Sequence, residues 1–272
     1  MRRASVRLSR IGWLERFSLL AAFVLVLVVL VLPEFLSHGP LDLVDVPLSH
    51  PGGSHLFGTD EQGRDVLTRV AYGMRTSLWA AAVVIASGIL IGGAVGLAAG
   101  MAGGKVDGGL MRLTDLFLAL PGPLLVLAIV AALGPGLTHT LIGVSVIWWP
   151  YYARIVRGQV RAIVVLPHVE AARLGRIGRL RLAFRHVVPG VWSPVVVGAS
   201  LDVANLILLL AALSFLGLGS PEPAPELGAM TSLGLTYLFT GWWVAVIPAT
   251  AIFLLAFVAN LAGDAVRDLF AV

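Results

Sequence analysis

Apolar residues cluster in six long runs, at 17–36, 77–101, 113–133, 137–156, 190–212 and 242–262. About 20 residues at a rise of roughly 1.5 Å cross the hydrocarbon core of a bilayer, so each run predicts a membrane-spanning helix. The runs at 137–156 and 190–212 have the softest edges. The first follows Arg2, Arg3, Arg7, Arg10 and Arg16. Basic residues before an apolar run can also open a secretory signal, but Pro33-Glu34-Phe35 stands where a small-x-small cleavage site belongs. An uncleaved anchor is the expectation.

The segments between the runs differ in kind. Residues 37–75 are rich in turn formers, and 154–189 interleave arginine with apolar residues. The stretch Ser220-Pro-Glu-Pro-Ala-Pro-Glu226 breaks helix, and Leu227 to Leu238 reads as a short re-entrant or interfacial helix. Trp242 and Trp243 suit a membrane interface. Gly88, Gly92, Gly96, Gly100 and Gly104 recur every fourth residue. Such a ridge lets a neighbouring helix approach closely; it serves either plain packing or a smooth helix that moves along a pathway.

Composition supports the membrane reading. The 272 residues are 58% hydrophobic and 12% charged, with a mean hydropathy of +0.94. Soluble domains carry about 25% charged residues, so this chain has too little polar surface for a water-facing exterior. With no cysteine, disulfide frameworks, thiolate metal sites and cysteine nucleophiles are excluded. The expected fold class is all-α, a polytopic membrane protein with six transmembrane helices.

A pI of 10.1 raises the question of nucleic acid, but the distribution of charge answers it. With both termini in the cytoplasm, only Arg64, Arg69 and Arg75 of the 19 Lys and Arg residues fall outside. The rest fall inside, eight of them as Arg154, Arg157, Arg161, Arg173, Arg176, Arg179, Arg181 and Arg185 in the 154–189 loop. This is the positive-inside distribution, and no nucleic-acid partner is implied.

That loop carries the most information. Val169-Glu-Ala-Ala-Arg-Leu-Gly-Arg-Ile-Gly178 begins with helix formers and ends in glycines that stop a helix. Basic and apolar residues then alternate to Pro189. Anionic lipid would explain the arginines. A docking helix explains both the arginines and the small, smooth patch Glu170-Ala171-Ala172.

On these residues the segment resembles the EAA loop of ABC importer permeases, with Glu170, Ala171, Ala172 and Pro189 at the family spacing. The family glycine falls at Arg176, and this chain has Gly175 and Gly178 instead. Further stretches resemble dipeptide, oligopeptide and nickel permeases of the second-permease type: His55-Leu-Phe-Gly-Thr-Asp-Glu-Gln-Gly-Arg-Asp65, Gly103-Gly-Lys-Val-Asp107, Trp149-Pro-Tyr-Tyr-Ala-Arg154, Ser214-Phe-Leu-Gly-Leu-Gly219 and Asn260-Leu-Ala-Gly-Asp264. Relatives often carry glutamate at the place of Leu210.

The resemblance implies a cytoplasmic N-terminus and anchor helix over 1–36, an extracytoplasmic loop over 37–75, and a five-helix core over 76–272 with its coupling loop at 154–189. It implies an ATP-driven importer of di- or oligopeptides, working by alternating access in the cytoplasmic membrane of a bacterium or archaeon. Nickel or a metal–chelator complex is the alternative cargo. The implied partners are a second permease, two ATP-binding subunits, an extracytoplasmic substrate-binding protein and the lipid bilayer. The coupling residues would be Glu170, Ala171, Ala172, Arg173, Gly175 and Gly178.

The chain has no G-x-x-x-x-G-K-[ST] loop, no His-Glu-x-x-His and no Gly-x-Ser-x-Gly, so no catalytic residues, metal or cofactor are expected. A secondary transporter would need coupling acids and often inverted repeats, and one candidate acid is present. That acid is Asp202, with Asn205 a turn later; it either lines the pathway or is hydrogen-bonded between helices. His38, His50 and His55 share the outer loop with Asp42, Asp45 and Asp60, which raises a metal site. Turns and caps that shape the outer face are the plainer reading of 55–65, and contact with a binding protein is the second.

Overall fold

The computed structural model describes residues 12–270; Arg2, Arg3, Arg7 and Arg10 lie outside that range. Ten α-helices organise the described chain: α1 Trp13–Phe35, α2 Val66–Ala102, α3 Gly104–Ala119, α4 Gly122–Leu133, α5 Leu137–Ile163, α6 Pro167–Leu174, α7 Arg179–Leu182, α8 Val188–Phe215, α9 Leu227–Gly234 and α10 Trp243–Phe270. Extended pairing among the described residues is limited to isolated bridges in the outer loop.

Four helical runs are long and apolar enough to cross a membrane: α1, α2, the continuous run Arg179–Phe215 and α10. The expected span at 113–133 is broken, with α3 and α4 meeting at 86°. Pro121 has no N–H to donate and its ring pushes the preceding residue out of the helical region. Leu120 accordingly sits at φ −90° and ψ 141°. The run expected at 137–156 is α5, 27 residues long. Thr138, His139, Thr140, Ser145 and Pro150 dilute its apolar character.

The expected loop at 154–189 is largely helical. α5 continues to Ile163, and the span expected from residue 190 begins at Arg179. A π-turn, Ala183–Val187, lies inside that second run. It ends two residues before Pro189, whose ring cannot fit behind a regular α turn.

The described chain forms two compact units. In the first (12–82, 129–141 and 200–270), α1 and α9 each pack on α10. α1 buries Val29 and Pro33 and exposes Phe17, Phe23 and Leu27, as suits a helix facing lipid. Gly234 lets α9 touch the backbone of Val244 and Ala245, and Gly263 lets α10 touch the backbone of Ser200 and Leu201.

The outer loop belongs to this unit and is held from within. Asp60 accepts from Arg64 Nε at 2.6 Å and pairs with Arg69 Nε at 3.2 Å. Its other oxygen accepts the backbone N–H groups of Gln62 and Arg64, each at 2.9 Å. Asp65 caps α2 by accepting from the Thr68 backbone and hydroxyl, each at 2.7 Å, which is the role expected of an N-cap aspartate. His55 Nδ1 lies 3.2 Å from the same carboxylate. Gly58 and Gly63 take φ of +72° and +84° against backbone carbonyls, where any side chain would collide. Of the groups raised as metal ligands, His50 packs on the Trp243 ring and Asp42 accepts the Gly39 N–H.

In the second unit (83–128 and 142–199), two ridges spaced by four residues interlock. Gly88 and Gly92 receive Tyr152, Gly96 receives Val156, and Gly100 receives Val160. Gly92 and Gly96 also meet the carbonyl oxygens of Trp149 and Ala153. α2 and α5 therefore run side by side in the same direction. Gly104, the fifth of the expected ridge, lies beyond α2 and has open space around it. Tyr152, Val156 and Val160 share a core with Val187, just before α8, and with Val191 and Val195 in its first turns.

Candidate functional site

α6 sits on that core. Pro167 opens the helix at its first position, where its missing N–H leaves no bond unmade and its fixed φ suits a helix. Val169 is fully buried within the cluster formed by Val156, Val160 and Leu182, and Ala172 packs against it. One face of a two-turn helix is thus fixed from behind. The other face presents Glu170, Ala171, Arg173 and Leu174; Leu174 is 80% exposed. Around it Val165, Leu180 and Phe184 are also exposed, interleaved with Arg176, Arg179, Arg181 and Arg185. Exposed apolar residues beside cations form a surface with both buriable area and charge.

The end of α6 differs from the expectation that its glycines stop it. Gly175 is the C-cap, at φ −69°, and needs no glycine. Gly178 precedes α7 with an extended backbone. The left-handed residue is Arg176, at φ +55°. Its N–H donates to the Arg173 carbonyl at 3.0 Å, and that of Ile177 donates to Ala172 at 3.4 Å. This pair of bonds is the Schellman motif, in which glycine is the usual left-handed residue. The turn therefore keeps its shape with arginine where the family pattern has glycine.

α6 brings Glu170, Ala171, Ala172 and Arg173 onto one short helix. Asp202 and Asn205 lie in the other compact unit, both on α8. Asp202 is 5% exposed and is engaged by a neighbouring group. Asn205 is exposed. Two features are not apparent from the sequence alone. Val169, the anchor of α6, is one valine among many. The other is a partly buried pair: Arg157 donates to Asp107 through Nε at 2.5 Å and Nη2 at 2.7 Å.

The chain is similar to known proteins in sequence and in fold. The sequence pattern of the family described as "Binding-protein-dependent transport system inner membrane component" matches residues 88–271. The probable D,D-dipeptide transport system permease protein DdpC of Escherichia coli is 36% identical over 269 residues, which cover 96% of this chain and 90% of that protein. The di/tripeptide transport system permease protein DppC of Pseudomonas aeruginosa is 41% identical over 78% of this chain and 70% of its own length. The glutathione transport system permease protein GsiD of Pectobacterium atrosepticum is 38% identical over 80% and 72%. In fold, a chain from an inward-facing structure of the MetNI methionine ABC transporter superposes with a TM-score of 0.58. Its sequence identity is 21%, and the match covers 75% of this chain and 97% of that one. The chain belongs to the binding-protein-dependent transport system inner-membrane component family, and it is a permease subunit of an ABC importer.

Proposed function

We propose that α6 is the element through which separate ATP-binding subunits drive this permease. One observation carries the reading: α6 is anchored by fully buried Val169 and leaves Leu174 80% exposed. A helix fixed from behind and bare in front transmits force from whatever docks on it. Two cytoplasmic ATPases would supply the hydrolysis, since the chain has no phosphate-binding loop of its own. Their closure would move α6 and rock the spans between inward-open and outward-open states.

The six-span topology, with both termini in the cytoplasm, draws support from helix direction. α2 and α5 run in the same sense. The Asp107–Arg157 and Asp115–Arg154 pairs run α3 opposite to α5. Spans two, three and four of the expected order require these directions. The broken pair α3–α4 would then be the third span and α5 the fourth. A bacterial cytoplasmic membrane fits the named relatives.

The cargo we propose is a di- or oligopeptide, since the relatives named above are permeases for dipeptides, di- and tripeptides, and glutathione. A second permease of the same type would complete the path, and a substrate-binding protein would deliver cargo to the outer loop. Exposed Leu43, Val46 and Leu56 give that loop an apolar face. Asp202 and Asn205 border the path in this reading. An exposed asparagine at membrane depth is costly against lipid, which favours a polar path or a partner subunit beside α8.

The test is co-purification and uptake in the intact transporter. Leu174→Asp should release the ATP-binding subunits and abolish uptake while the permease stays folded. Retention of both subunits by this variant would sink the docking role. Labelled dipeptide should be taken up and nickel ion should not. Asp202→Ala should reduce uptake without loss of assembly, and unchanged uptake would remove it from the path.

A further inference from the structure

α3 is fastened within its unit at very few points. Of its 16 residues, only Asp107 and Thr114 are buried, and the Thr114 hydroxyl is spent on its own helix, donating to Met111. Asp107 is different. Its side chain is 7% exposed and faces two cations, with Arg157 Nε at 2.5 Å and Arg161 Nη1 at 3.6 Å. Both nitrogens of the Arg157 fork are engaged, a geometry that fixes orientation as well as distance. The backbone of Arg157 lies against Gly96 and Gly100. Helices α2, α3 and α5 therefore meet at one residue.

The same turn of α5 serves a second contact. Val156 and Val160 enter the core that holds Val169 of α6, while Arg157 and Arg161, one step further round the helix, reach Asp107. α5 thus carries α6 on one side and α3 on the other. A force on α6 passes into α5 through packed valines. Whether α3 follows, and with it α4 beyond the bend at Leu120, depends on its links to α5: Asp107 at one end, and at the other the Phe117 ring, edge-on to Trp149 at 5.4 Å. A second ion pair joins the same helices, Arg154 to Asp115 at 2.6 Å, but its side chains are 54% and 57% exposed. Exposed pairs contribute little and are screened by salt. The Asp107–Arg157 pair is the stronger fastening, because its fork geometry is bidentate and its carboxylate is shielded from water, although the Arg157 side chain is 29% exposed.

We propose that Asp107 and Arg157 are positioning residues that make α3 move with the docking helix, so that ATP-driven motion of α6 reaches the third span. The proposal rests on the reading of α6 as the docking element. Neither residue touches cargo or nucleotide in this role.

This chain has no cysteine, so labels can be placed on it at two chosen positions, with the partner subunits carrying no reactive cysteine. Spin labels at Val165→Cys, beside α6, and at Leu116→Cys, on α3, report the distance between the two elements by pulsed electron resonance. The sample is the complete transporter in liposomes, nucleotide-free and then trapped with vanadate. With the pair intact, the distance stays the same in both states. In the double variant Asp107→Asn/Arg157→Gln it changes between states. The ratio of dipeptide transported to ATP hydrolysed falls about tenfold, within the range by which such linking residues alter coupling. Arg157→Lys keeps the charge but forfeits the fork and gives a smaller change in the same direction; it decides the matter should the double variant not assemble. The exposed pair is the control, and Asp115→Asn/Arg154→Gln leaves distance and ratio unaltered. Constant distances in both Arg157 variants, or equal effects from the control pair, overturn the proposal. Failure of the docking reading shows separately, as retention of the ATP-binding subunits by Leu174→Asp.

Discussion

The Trp243 indole N–H donates to the carbonyl of Thr59, 184 residues earlier in the chain, at 3.0 Å. Trp243 is 1% exposed and Thr59 is fully buried, so the bond pins the outer loop to the start of α10. Trp243→Phe keeps most of the ring and leaves a buried carbonyl unpaired. It should cost about 1–3 kcal/mol. Trp243→Ala also opens a cavity and should cost about 3–5 kcal/mol. Thermal unfolding in detergent measures both. Protease cleavage within 36–65 should rise in the same order.

The loop should also respond to pH through Glu61. Burial raises its carboxyl above the ordinary 4.5, with nearby Asp60 adding to the shift and Arg64 and Arg69 opposing it. The folded pKa thus exceeds the unfolded one. The stability this group contributes is complete below the unfolded pKa and is lost as pH rises through the folded value. Glu61→Gln keeps an acceptor for Arg64, now 2.9 Å from Glu61, without the buried charge. It should gain on the wild type as pH rises from about 4 to about 7. Asp60→Asn should cost about 3–5 kcal/mol, because it leaves two buried arginines without their shared counter-charge. Unfolding midpoints at the two pH values separate these outcomes.

The glycine ridge offers a third test with its own control. A methyl at Gly92 or Gly96 would collide with the α5 backbone, whereas Gly93 has open space around its Cα. Gly92→Ala and Gly96→Ala should each cost about 1–3 kcal/mol through overpacking. Gly93→Ala should gain up to about 1 kcal/mol from helix propensity. Equal midpoints for Gly92→Ala and Gly93→Ala would refute the close approach of α2 to α5.

These cases show what the sequence makes legible. Long apolar runs reveal α1, α2 and α10, because burial in lipid needs little beyond length and hydropathy. The break before α4 could have been read from Pro121 alone, since a proline inside an apolar run weakens a continuous helix. The ridge of glycines announces a close approach but not the partner, which lies some 60 residues on in α5. Trp242 and Trp243 are adjacent and chemically identical, and the sequence offers both to the membrane interface. The fold exposes 53% of the first and buries the second, because α10 turns only one of them toward Thr59. Asp107 and Arg157 are 50 positions apart, and each alone reads as one more charge at a membrane edge. Pairing of this kind is a tertiary fact with no local signature.

The turn after α6 gives the last prediction. Arg176 holds φ +55°, a conformation that costs an ordinary residue about 1–2 kcal/mol. Nothing in the bonding of the turn requires a side chain there, since both Schellman bonds use backbone atoms. Arg176→Gly should relieve that cost, offset in part by the greater freedom of glycine in the unfolded chain, for a net gain of up to about 1 kcal/mol. Arg176→Val, β-branched in a left-handed position, should lose stability. Hydrogen exchange of the α6 amides is the sensitive reading, because local opening of a two-turn helix falls below global unfolding. Protection should rise in Arg176→Gly and fall in Arg176→Val. If the arginine also meets the docked ATPase, Arg176→Gly will strengthen the helix and weaken subunit retention together. Strain held at a docking surface would then have a functional use.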